Sequence, residues 1–80
     1  MNLESIIQDL KKFFNKHLNI ELDNIKDESL IVEELGADSI TLASLFAYIK
    51  DTYEITLDES VILQNALSIK SLAEKIFVNI

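Results

Sequence analysis

The sequence predicts an all-α fold: a small bundle of three main helices plus one short helix, with a long loop between helices one and two. Two observations predict it. Apolar residues recur at helical spacing in three separate stretches, each opened by a residue that caps helices. No stretch shows convincing strand alternation, and Ile55-Thr56-Leu57 alternates over too few residues to count. Eighty residues, 1–80, allow one small domain, and with 49% apolar residues the chain can fill a core.

The first helix is the clearest. Leu3, Ile6, Ile7, Leu10, Phe13, Phe14 and Leu18 share one side, Asn2 is placed to cap the start, and the helix ends near Asn19. Lys11, Lys12, Lys16 and His17 occupy its C-terminal half, where cations suit the helix dipole. Residues 20–37 read as a long connection rich in turn formers, namely Asp23, Asn24, Asp27 and Ser29. Leu30, Ile31, Val32 and Leu35 supply its apolar anchors. A loop of this length is functional or hides a helical turn, and both are expected here, with Glu33 and Glu34 in a turn that Gly36 ends.

The second helix starts at the N-cap Asp38 and runs to about Tyr53. Leu42, Leu45, Phe46, Ile49 and Tyr53 form its expected core stripe. Ile40, Ala43 and Ala47 make a second apolar face, more than one core contact requires. A short helix is expected around Asp58–Gln64, with Val61, Ile62 and Leu63 inward or partly so. The last helix has Ser68 as N-cap and Ile69, Leu72, Ala73, Ile76, Phe77 and Ile80 as its buried face.

Composition narrows the function. Fourteen acids stand against seven lysines and no arginine, for a net charge of −7. That balance argues against nucleic acid and anionic membranes as partners and favours basic protein surfaces. The chain has no cysteine and a single histidine, His17, read as a surface or half-buried residue near a helix C-terminus. A His/Cys metal cluster is therefore excluded, and nothing positions His17 for a Ser-His-Asp site, so no catalytic residues and no metal are expected. The longest apolar run, Leu45–Ile49, is far short of a membrane span, and the first residues lack the basic and apolar pattern of a signal peptide. A cytoplasmic monomer is the expectation.

The informative stretch is Leu35-Gly36-Ala37-Asp38-Ser39-Ile40. Gly36 allows a sharp turn, Asp38 caps the helix, and Ser39 becomes its first residue. There it sits at the surface beside unpaired amides and the positive end of the dipole, a favourable place for a phosphate. Taken alone, the hexapeptide reads equally as plain N-capping with Ser39 a bystander.

The hexapeptide resembles the attachment motif of acyl carrier proteins, usually Leu-Gly-Ala-Asp-Ser-Leu. The resemblance extends to the length, the helix order, the acidic balance, Asp27-Glu28-Ser29-Leu30 before the motif and Ser68-Ile69-Lys70-Ser71-Leu72 near the end. It implies that Ser39 carries 4'-phosphopantetheine, transferred from coenzyme A by a phosphopantetheinyl transferase using Mg²⁺. The arm's thiol would hold acyl groups as thioesters, and the protein would be a substrate that shuttles intermediates in fatty-acid or polyketide-type biosynthesis, with no catalysis of its own. The resemblance further implies partner contacts at Ile40, Ala43 and Ala47. Glu33, Glu34 and Asp51 join them as candidates for basic docking surfaces on acyl- or aminoacyl-loading and processing enzymes. Leu42, Phe46, Ile49 and Ile62 are the candidates for an acyl cleft.

Charge is segregated around this motif. Residues 20–60 hold eleven acids and two lysines, Lys26 and Lys50, for −9, whereas the ends sum to +2. The negative field therefore surrounds Ser39 and steers basic partners towards it. The match also departs from the usual pattern. Thr41-Leu42-Ala43-Ser44 has no acid early in the second helix, Lys50 stands where an acid is common, and Ile55-Thr56 replaces a frequent Ile-Pro. These changes point to a specialised free-standing carrier with partners other than the standard fatty-acid synthase enzymes. A peptidyl or aminoacyl carrier of a secondary-metabolite or cell-envelope pathway stays open, as does a non-covalent acidic interaction module.

Overall fold

The computed structural model describes residues 2–58, 60 and 67–80. These residues form three α-helices, α1 (Leu3–Leu18), α2 (Ser39–Tyr53) and α3 (Ile69–Phe77), with one 3₁₀ turn at Leu22–Asn24 and no strand among them. The expected all-α bundle and long first loop are therefore present. The expected short helix at Asp58–Gln64 lies largely outside the described residues, as does Ile62.

Local chemistry sets the helix ends. Asn2 and Ser5 form a reciprocal capping box: the Ser5 amide donates to Asn2 Oδ1 at 2.8 Å, and the Asn2 amide donates to Ser5 Oγ at 3.2 Å. Asn19, left-handed at φ 59°, closes α1, and its residue type tolerates that conformation. Ser68 caps α3 by accepting the Ser71 amide at 3.0 Å.

The core forms where α1 lies mainly against α3. Ile6, Leu10 and Phe14 meet Ile69, Leu72, Ala73 and Ile76, all fully buried. Burial of large apolar side chains, about 1.5–3 kcal/mol each, dominates the stability of such a bundle. α2 contributes Leu45, Ile49 and Tyr53. It makes fewer contacts with α1, and one polar link joins them: Tyr53 Oη donates to Asp9 Oδ2 at 3.0 Å.

Three expectations about burial need correction. The inner stripe of α2 is Thr41, Leu45, Ile49 and Tyr53, while Leu42 and Phe46 are only half-buried. α2 is apolar on several sides, so periodicity placed Leu45, Ile49 and Tyr53 inward but did not locate the edge of that side, where Leu42 and Phe46 fall. Phe77 and Ile80 are exposed rather than buried. Phe77 falls at the margin of the stripe set by Ile69, Leu72, Ala73 and Ile76, and Ile80 lies past the end of α3. Val32 is also exposed, whereas Ile31 and Leu35 anchor the loop as expected.

The long loop is stitched to the start of α3. The Ile31 amide donates to the Leu67 carbonyl at 3.0 Å, Ile69 to Ser29 at 3.1 Å, and Lys70 to Asp27 at 2.9 Å. Ser29 Oγ accepts the Lys26 amide at 2.8 Å, which shapes the loop for this contact. Asp27 also pairs with Lys11 of α1 at 2.6 Å. The Asp27–Leu30 stretch and the Ser68 region, distant in sequence, are thus hydrogen-bonded neighbours that fix where the loop delivers α2.

Candidate functional site at the start of α2

Residues 31–35 make a helical turn that leads directly into the site. The Gly36 amide donates to the Val32 carbonyl and the Ala37 amide to the Ile31 carbonyl, both at 3.2 Å. These nested bonds close a turn one residue wider than a Schellman motif, with Gly36 in the left-handed conformation at φ +75°. A Cβ at Gly36 would meet nothing within 4 Å, so glycine is required here by its backbone and not by crowding. Glu34 reaches back, its Oε1 accepting the Leu30 amide at 2.7 Å. Glu33 and Glu34 are both exposed on this turn.

After the turn, buried Ala37 pins the chain to the core and Asp38 takes the extended N-cap conformation. Asp38 Oδ1 accepts the Thr41 amide at 2.8 Å. That bond, aided by the Thr41 hydroxyl, holds the Asp38 carboxyl below its ordinary pKa, so it is ionised and committed to the cap. Thr41 faces inward and Ser39 faces out. Ser39 is the first residue of α2, exposed, with helix geometry leaving its own amide without an intrahelical partner. An exposed hydroxyl, an open surface over Gly36 and the amide end of a 15-residue helix suit a phosphodiester.

The other candidate residues sort cleanly. Ile40 is 76% exposed, and Ala43, Ala47 and Asp51 are exposed too. At 100° per residue, Ile40, Ala47 and Asp51 line one face of α2, with Ala43 beside them. Of the cleft candidates, Ile49 is 1% exposed and belongs to the packed core, while Leu42 is half-buried. Phe46 lines a small groove of about 210 Å³ with Ala47, Lys50, Thr56 and Leu57.

Sequence reasoning missed three residues of that groove, Lys50, Thr56 and Leu57. Lys50 was findable, since it lies eleven residues after Ser39 and so on the same side of α2. Thr56 and Leu57 carried no such signal. They arrive because Glu54, left-handed at φ 57°, turns the chain back against α2. A larger cleft of about 460 Å³ lies between α1 and the first loop, lined by Gln8, Lys11, Lys12, Leu22, Asp23, Ile25 and Lys26.

His17 is exposed and stacks on Phe13 with ring centroids 4.1 Å apart, the surface role its position predicts. No group of three or more His, Cys, Asp or Glu residues suited to a metal occurs among the described residues. No described helix is long and apolar enough to cross a membrane.

Comparison with known proteins fits this geometry. Residues 8–76 match the phosphopantetheine attachment-site family. An acyl carrier protein of Campylobacter lari is 32% identical over 56 residues, covering 70% of this chain and 73% of that one. One from Campylobacter jejuni is 36% identical over 52 residues, covering 65% and 68%. One from Wolinella succinogenes is 31% identical over 55 residues, covering 69% and 72%. With the family match spanning most of the helical bundle, the chain belongs to the acyl carrier protein family, whose members bear phosphopantetheine and act as carriers rather than enzymes.

Proposed function

We propose that Ser39 is the attachment residue for 4'-phosphopantetheine and that residues 1–80 act as one carrier domain for acyl groups in fatty-acid or polyketide-type biosynthesis. The observation that carries this reading is exposed Ser39 at the first position of α2, presented directly after the Gly36 turn and the Asp38 cap. When bound, the arm supplies a thiol for thioester linkage, a group this cysteine-free chain lacks. Ser39 Oγ attacks the pyrophosphate of coenzyme A. The Oγ–P bond forms as the P–O bond to 3',5'-ADP breaks, and the hydroxyl proton goes to a base. Asp38 is occupied as the cap and its carboxyl is a poor proton acceptor, so the base belongs to the transferase.

As a carrier domain, the protein interacts with modifying and acyl-handling enzymes. In the proposed docking surface, Ile40, Ala43 and Ala47 give an apolar contact beside Ser39. Glu33, Glu34 and Asp51 give carboxylates for basic partner residues. The lack of any acid in the first turn of α2 favours partners of a specialised pathway, with a peptidyl or aminoacyl route as the second reading.

The test is direct. Incubation with coenzyme A, Mg²⁺ and a broad-specificity phosphopantetheinyl transferase should add one phosphopantetheine by intact mass, and Ser39→Ala should abolish the gain. A wild-type chain left unmodified by several transferases would overturn the reading in favour of a non-covalent acidic module.

A further inference from the structure

We propose that the groove formed by Phe46, Ala47, Lys50, Thr56 and Leu57 receives the cargo end of the arm and selects a short acyl group that ends in a free carboxylate. The proposal rests on Ser39 being the attachment residue. Its basis is the placement of the groove and the chemistry of its lining.

Placement comes first. Phe46 and Lys50 follow Ser39 by seven and eleven residues, so at 100° per residue both fall within about 20° of its direction around α2. Along the axis they lie about 10 Å and about 16 Å from it, at 1.5 Å per residue. The arm has roughly 14 bonds between Ser39 Oγ and its sulfur. If each advances about 1.2 Å, as in an extended polypeptide, it reaches about 17 Å. An arm laid along α2 therefore ends over this groove. The cleft beside α1 does not lie along this stripe.

The lining sets the chemistry. Phe46, Ala47 and Leu57 give apolar walls. Lys50 and Thr56 give an ammonium and a hydroxyl, and no carboxylate is among the described residues that line the groove. That combination stands out in this chain. From residue 27 to 60 there are nine acids and one lysine, and the lysine is Lys50. Lys50 is exposed and forms no ion pair among the described residues. A carboxylate at the end of a short aliphatic chain satisfies both donors while its methylenes lie on the apolar walls. The groove, at about 210 Å³, falls below the roughly 300 Å³ where ligand pockets begin, so a few carbons fill it.

The test compares two cargoes of four carbons that differ at the far end. A broad-specificity transferase loads butyryl- or succinyl-phosphopantetheine from the corresponding acyl-coenzyme A, and intact mass confirms loading. The succinyl form should shift the backbone amide resonances of Lys50, Thr56 and Leu57 more than the butyryl form does. With each rate divided by that of the same acyl group on free pantetheine, which removes the succinyl carboxylate's own attack on its thioester, the succinyl form should be cleaved by hydroxylamine about fivefold more slowly than the butyryl form, the factor expected for a close charge pair in a water-like dielectric. Lys50→Met should erase both differences and Lys50→Arg should keep them. Equal shifts and equal cleavage for the two cargoes would overturn the proposal, as would succinyl behaviour unchanged in Lys50→Met. If Lys50 serves only the C-terminal end of α2, Lys50→Met lowers the melting temperature and leaves the cargo comparison flat, which also overturns it. Failure of several transferases to load the chain even from coenzyme A itself would overturn the attachment reading, and this proposal with it.

Discussion

At the scale of single residues, the site depends on three choices within four positions. Gly36 supplies the left-handed turn, Asp38 the cap and Ser39 the exposed hydroxyl. The cap is ionised, and its dependence on pH has a definite sign. The carboxyl of Asp38 is held below its ordinary 3.8 by the amide of Thr41, so its contribution to stability is full above that value and is lost as pH falls through the lower folded value. Asp38→Asn keeps an acceptor for the Thr41 amide but removes the titration. Its loss of melting temperature between neutral pH and about pH 3 should be smaller than that of the wild type, measured by thermal denaturation. These residues were legible in the sequence because caps and glycine turns act within a few positions. Thr41 was not. A polar side chain on the inner side of α2 is allowed by its bond to Asp38, which periodicity does not report.

At the scale of elements and among the described residues, α1 packs more extensively on α3 than on α2. Tyr53 is the polar fastening. Burial first, then its hydrogen bond to Asp9, push its phenol well above the usual tyrosine range, so it remains a neutral donor throughout the accessible pH range. Tyr53→Phe keeps the ring and removes the bond. It should cost about 1 kcal/mol by denaturant titration, near the net worth of one hydrogen bond. The loss should appear first as faster amide exchange in the last turns of α2. The sequence revealed the extents of α1, α2 and the start of α3 through apolar spacing and caps. It placed Leu45, Ile49 and Tyr53 on the inner side of α2 but not the edge of that side, where Leu42 and Phe46 are as apolar as the residues that are buried.

At the scale of the whole molecule, charge and loop topology matter most. Glu33, Glu34, Asp38, Asp51, Glu54 and Asp58 are all exposed, within a segment whose sum is −9. Lys11–Asp27 is the ion pair found among the described residues. Mutual repulsion of these carboxylates opposes folding, so added salt or divalent cations should raise the melting temperature by a few degrees, read by calorimetry across a salt series. An unchanged melting temperature would mean that the acids lie too far apart to repel one another. The sequence disclosed this segregation, but not that Asp27–Leu30 and the start of α3 share hydrogen bonds, since no local pattern encodes a contact across some forty residues. That contact bears on timing during synthesis. The amides of Ile31, Ile69 and Lys70 find their partners only once the stretch around Leu67–Lys70 has left the ribosome. The turn that presents Ser39 is therefore fixed late, only after the stretch that braces it has been made.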